Sequence, residues 1–124
     1  MKIYLSHPIT DLEPHEYLPI FEKYEADFLS KGFEVVNPTK LKSHRLHDKK
    51  WTSYMLADLA ELSSCDILVL LAPLKKLEKS TGCMIEMMWA KKMKIDTVPF
   101  EMIEIHLPMI QCAMEWGMPV PPLP

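Results

Sequence analysis

Glu86 is the only charge in the run Ser80 to Ala90, Ser-Thr-Gly-Cys-Met-Ile-Glu-Met-Met-Trp-Ala. Apolar residues on both sides predict a helix that is apolar nearly all round, and such a helix is buried. A carboxylate there must find a polar strip, pair with a base or give up its charge, because an unpaired buried charge costs several kcal/mol. Asp58 is a second lone acid, set in Leu56-Ala57-Asp58-Leu59-Ala60. Taken alone it reads as a surface residue. Tyr4 reads as a core residue whose hydroxyl can reach a carboxylate. Ser80 is a good helix N-cap, and with Thr81 it also offers hydroxyls and backbone donors to a phosphate. Gly82 costs about 1 kcal/mol against alanine inside a helix. It precedes Glu86 by four residues, on nearly the same helical face, so its missing side chain leaves room in front of the acid. Two acids beside such a space suit nucleophilic and acid–base work on a small molecule.

The elements that must position these residues are legible from periodicity. Lys2 to Ser6 is a short apolar run ended by His7-Pro8, and it predicts a first strand. From Pro14 to Lys31 the apolar residues recur at three and four, with Gly32 as the stop, which predicts a helix. Phe33 to Val36 predicts a second strand, closed by Asn37-Pro38. Thr39 to Lys50 reads as a polar loop, and Trp51 to Ser63 returns to helical spacing. Asp66 to Leu71 is apolar after its first residue, as a central parallel strand covered on both faces should be. A loop over 72–79 leads into the helix of Glu86, which ends near Lys92, and Ile95 to Val98 predicts a fourth strand. This alternation predicts an α/β protein, a three-layer sandwich with a four- to five-stranded parallel sheet and helices on both faces. Ligands of such sheets bind beyond the carboxyl ends of the strands, which places the loops after Leu5, Val36 and Leu71 on one rim. Further on, Pro108 to Trp116 predicts a helix stopped by Gly117, followed by an extended proline-rich arm. Ile103, Leu107, Ile110, Met114 and Trp116 need burial there, either on a second subunit, the preferred outlet, or in an ordinary core contact.

With 124 residues the chain is read as a single domain, with its core in 1–99 and segment 100–124 a candidate for a subunit interface. A net charge of −3 and a pI near 5.9 leave no basic footprint for a nucleic-acid duplex or an anionic membrane. No run approaches the ~18 residues of a membrane span. Cys65, Cys83 and Cys112 are odd in number and set among apolar residues, so they read as reduced thiols of a cytoplasmic protein. Ten methionines suit an irregular core or a subunit interface. The glycine-rich dinucleotide fingerprint and the phosphate loop ending in Gly-Lys-Ser/Thr are absent from the sequence. His44 and His47 with Asp48 have metal-compatible spacing, but in a lysine-rich loop they read as solvated, and no metal or cofactor is expected.

At these residues the sequence resembles the nucleoside 2-deoxyribosyltransferase superfamily, which includes nucleoside transferases, nucleoside-5′-monophosphate N-glycosidases and small phage-borne relatives. The resemblance runs from Lys2 to about Val98. It rests on Lys-Ile-Tyr-Leu at the start, Val36-Asn37-Pro38, Trp51-x-x-Tyr54-Met55-x-x-Asp58-Leu59-x-x-Leu62-x-x-Cys65-Asp66, and Ser80-x-Gly82-x-x-x-Glu86. The resemblance implies a flavodoxin-like (Rossmann-like) sheet and a homodimer or larger homo-oligomer with shared sites. It also implies Glu86 as nucleophile, Asp58 as the acid handling the base, and Tyr4 as the group orienting the nucleophile. Ser80 matches the position that is serine in the nucleotide hydrolases and tends to be aspartate in the nucleoside transferases. An aspartate there would repel a phosphate.

The chemistry agrees with that implication. Cleaving an N-glycosidic bond builds positive charge on the sugar, and a carboxylate beneath the anomeric carbon stabilises or traps it, as in retaining glycosidases. The expected function is therefore cleavage of a (2′-deoxy)nucleoside 5′-monophosphate by Glu86, Asp58 and Tyr4, with Ser6, His7, Ser80, Thr81 and Gly82 on the substrate. Two alternatives stay open: a transferase exchanging bases, and a catalytically silent nucleotide-binding module. The loop after the first strand, Ser6-His7-Pro8, departs from the glycine-containing loop of many relatives. His7 either contacts phosphate or base, or narrows the pocket and removes activity. Groups that relatives draw from a neighbouring subunit's C-terminal region have no match in 100–124.

Overall fold

A computed structural model describes residues 1–41 and 50–118. His44, His47, Asp48 and the last six residues of the proline-rich arm lie outside the described residues. Four strands, β1 (Lys2–Ser6), β2 (Glu34–Val36), β3 (Ile67–Leu70) and β4 (Asp96–Val98), form one sheet in the order β2-β1-β3-β4. Every pairing is parallel. Among the described residues five α-helices accompany them: α1 (Pro14–Ser30), α2 (Trp51–Ser63), α3 (Leu74–Leu77), α4 (Thr81–Lys92) and α5 (Ile103–Trp116).

Side chains alternate across a strand, so each strand of a covered sheet feeds two cores. On one face Ile3 and Leu5 of β1 and Ile67 and Val69 of β3 pack with Phe21 and Phe28 of α1 and Leu107 and Ile110 of α5. On the other, Tyr4 and Leu68 pack with Leu62 of α2 and with Cys83 and Ala90 of α4. The result is a Rossmann/flavodoxin-like three-layer sandwich. The chain runs from β1 to β2 on one side and then returns past β1 to β3 on the other. The loops leaving β1 and β3 therefore diverge, and the crevice between them is where open parallel sheets bind ligands.

Local chemistry explains the element ends. The Glu16 side chain accepts from the Glu13 backbone N–H at 2.7 Å, reaching back over the start of α1. Ser80 Oγ accepts from the Cys83 N–H at 3.3 Å and caps α4. Gly117 ends α5 in the left-handed conformation, with φ 65°. The Asp66 carboxylate accepts from the Lys2 N–H at 2.8 Å and ties together the starts of β1 and β3.

Two expectations are corrected. The segment 72–79 is not all loop: α3 makes one helical turn there, and its Leu77 is fully buried. The last helix begins at Ile103 rather than Pro108 and holds Pro108 inside it. The burial of Ile103, Leu107, Ile110 and Ala113, spaced by four, three and three, explains how a helix tolerates the lost hydrogen bond. Ile103, Leu107 and Ile110, with Met114 beside them, pack in the core on this chain's own sheet. Trp116 is the exception, 75% exposed. No helix among the described residues is long and apolar enough to cross a membrane.

Candidate active site

The period of β1 directs Tyr4 and Ser6 to the face covered by α2 and α4, roughly 7 Å apart along the strand. Glu86 faces them from the second turn of α4 and Asp58 from the middle of α2. Both acids are buried, each 6% exposed, so Asp58 is not the surface residue its local sequence suggests. The two helices are fixed against each other by packing and by the Trp89 indole N–H, which donates to Ser63 Oγ at 2.8 Å. Asp58 and Glu86 line one cavity of about 250 Å³ at the carboxyl end of β1 and beside the start of α4. Its wall also includes Trp51, Tyr54, Gly82 and Ser80.

Ser6 is buried, and its hydroxyl donates to Glu86 Oε1 at 2.9 Å. It does not line the cavity, so the residue expected on the substrate instead holds the carboxylate from behind. Tyr4 lies one step deeper and is fully buried. Its hydroxyl makes no hydrogen bond of good geometry, although it is close enough to Glu86 to feel the carboxylate. Burial, then the negative charges of Glu86 and Asp58, hold its pKa well above the usual phenol value. A neutral phenol beside the two acids suits a hydrogen-bond donor that an approaching charge could recruit. Burial also pushes the Cys83 thiol up, against the pull of the Ser6 and Ser80 hydroxyls.

His7 also lines this cavity. Its Nδ1 is 2.8 Å from the Pro8 carbonyl, an acceptor only, so Nδ1 carries the proton and neutral Nε2 accepts. Burial lowers its pKa from 6.5, and the neighbouring Lys76 charge lowers it further against the upward pull of that hydrogen bond. A neutral imidazole with an accepting Nε2 suits a sugar hydroxyl or a base N–H better than a phosphate oxygen. Gly82 faces the cavity as expected, but the space over it is modest. An added Cβ would meet Met55 Sδ at 3.4 Å and Ser80 Oγ at 3.9 Å, ordinary contacts. Thr81 lines a neighbouring cavity and not this one.

Trp51, Tyr54 and Met55, which the sequence shows as helically spaced residues of the motif around Asp58 without a role of their own, are wall residues. The signal was present, because 51, 54, 55 and 58 recur at helical spacing and share the face of Asp58. Lys76 and Lys79 beside Thr81 had no such signal, being part of what reads as a polar loop. Among the described residues no group of three His, Cys, Asp or Glu side chains could hold a metal ion.

Fold and site together define a parallel α/β protein with a small, two-carboxylate cavity at the point where its strand order reverses. Over residues 1–99 the chain matches the family described as "Domain of unknown function (DUF4406)", and it belongs to that family. The matched span ends one residue after β4, so α5 lies beyond it. Comparison with curated proteins finds no match.

Proposed function

We propose that the protein cleaves the N-glycosidic bond of a (2′-deoxy)nucleoside 5′-monophosphate. The observation that carries this reading is the convergence of two buried carboxylates, Glu86 and Asp58, on one cavity from different helices. Burying two acids together costs stability, and a site is where that cost is expected to be retained. Trp51 and Tyr54 supply aromatic surface on which a base can stack. Ser80 and the start of α4 supply donors for the 5′-phosphate.

In the proposed reaction the Glu86 carboxylate attacks C1′ while the C1′–N bond breaks and its electron pair leaves with the base. Asp58 gives the departing base a proton, and the sugar is held as an ester on Glu86. Water then attacks C1′ and gives a proton to Asp58, and Glu86 leaves as the carboxylate. The products are free base and sugar 5-phosphate. The resemblance to the nucleoside 2-deoxyribosyltransferase superfamily supports the same roles. A homo-oligomer in the cytoplasm belongs to this reading, supported by exposed Met88 and Trp116 and by three free cysteines.

Chromatography of a deoxynucleoside monophosphate panel after incubation with the protein tests the reading. Free base is expected from at least one substrate and not from Glu86→Gln or Glu86→Ala. Base release surviving in Glu86→Ala overturns the assignment, release only with an added acceptor base makes the protein a transferase, and nucleotide binding without turnover makes it a silent module.

A further inference from the structure

A second cavity, of about 640 Å³, opens beside the first and shares His7, Thr10, Trp51 and Ser80 with it. One ligand can therefore occupy both. Their chemistry differs. The first is walled by carboxylates and aromatic or apolar groups, while the second presents Lys76, Lys79 and Thr81 against one acid among the described residues, Asp11. The turn of α3 explains the placement: Leu77 is anchored in the core at 0% exposure, and the lysines on either side of it line the cavity. Neither lysine forms an ion pair with another described residue. The first N–H groups of the twelve-residue helix α4 lack intrahelical acceptors and add to the same positive field.

A lone phosphate is matched by Ser80, Thr81 and the helix start. Lys76 and Lys79 add two positive charges to the wall of the same cavity, and its size, that of a space taking most of a small ligand, leaves room for phosphates beyond the first. We propose that this cavity is a polyphosphate subsite, so that nucleoside di- and triphosphates bind more tightly than the monophosphate whose cleavage is proposed above. The base and sugar occupy the first cavity, and the β- and γ-phosphates lie between Lys76 and Lys79. The nucleoside half of this inference rests on the function proposed above; the anion subsite does not.

Calorimetric titration of the full chain at low ionic strength tests it, using a deoxynucleoside mono- and triphosphate with the same base, and inorganic tripolyphosphate. The triphosphate is expected to bind about tenfold tighter than the monophosphate, the worth of two partly solvated charge contacts. Lys76→Ala/Lys79→Ala should weaken the triphosphate by about tenfold and so erase that advantage, whereas Lys75→Ala, outside the cavity, should leave the advantage intact. Tripolyphosphate should bind the wild type and compete with the triphosphate. Equal affinity for mono- and triphosphate in the wild type, or an advantage that survives the double substitution, overturns the subsite. Lysine-dependent triphosphate binding without base release keeps the subsite and removes the glycosidase. Base release from monophosphates with no triphosphate preference does the reverse.

Discussion

Ser6 Oγ donates to Glu86 Oε1 at 2.9 Å across an interface between β1 and α4, joining residues 80 apart in sequence. The bond depends on the strand's period, which turns Ser6 toward α4, and on the cap at Ser80, which fixes where α4 begins. It gives a buried carboxylate a donor and fixes the orientation of one of its oxygens. Within the proposed reaction Ser6 is thus a positioning residue for the nucleophile.

Ser6→Ala removes a charge-assisted buried hydrogen bond, worth about 1.5–3 kcal/mol. Urea denaturation should show a loss of about that size, and kcat for base release should fall about tenfold with KM little changed. Ser6→Thr, which keeps the hydroxyl, should recover part of kcat. A KM effect alone would instead return Ser6 to the substrate.

Tyr4→Phe deletes a buried hydroxyl that forms no hydrogen bond of good geometry. Stability near pH 7 should hold or rise by up to about 1 kcal/mol, while base release slows, since the phenol is the neutral donor beside Glu86. The folded pKa of Tyr4 lies above the ordinary 10.0. The unfolded chain therefore loses this proton first, and stability is lost as pH rises through 10. Denaturation curves on the alkaline side should show that fall in the wild type and a smaller one in Tyr4→Phe.

Gly82→Ala separates folding from function. The added methyl meets only ordinary contacts, and alanine gains up to about 1 kcal/mol in helix propensity. Thermal unfolding should shift upward while base release drops, because the methyl occupies the space in front of Glu86. A variant as active as the wild type would show that substrate does not use that space.

His7 sets an acid limit. Its folded pKa is below 6.5, so the unfolded state takes up a proton that the folded state refuses. Its contribution to stability is complete above pH 6.5 and is lost as pH falls from there toward the folded pKa. Guanidinium denaturation between neutral and mildly acidic pH should show a steeper loss in the wild type than in His7→Gln. Parallel slopes would place His7 in a more solvated setting.

Thiol labelling should distinguish the cysteines. Cys112 is exposed, whereas Cys65 and Cys83 are buried and burial raises both pKa values, that of Cys65 to about 11. One thiol should react quickly and two only on unfolding. Fast labelling of Cys83 would mean that the cavity beside Glu86 opens readily.

The strands, helices α1, α2 and α4, and the parallel sheet they imply were legible in the sequence, because each rests on a local period, a cap or a proline stop. The burial of Glu86 was legible, since a lone acid on an apolar face is a burial conflict visible in one segment, whereas Asp58 taken alone reads as a surface residue. The role of Ser6 was not, because its type and neighbours are equally consistent with touching substrate. Nor were the lysines of the second cavity, whose direction is set by the anchoring of Leu77. The beginning of α5 was also misplaced: Pro108 is a strong local stop, and the burial of Ile103, Leu107 and Ile110 overrode it.

By itself, then, the sequence determined the four strands, most of the helices and which residues carry unusual chemistry, because these depend on neighbours within a few positions. The tertiary structure alone decided which of those residues meet. The strand order β2-β1-β3-β4 lays β1 beside β3 and stacks α2 against α4, and this turns isolated acids into a cavity. Contacts across such a sheet join residues tens of positions apart, and no local period encodes them.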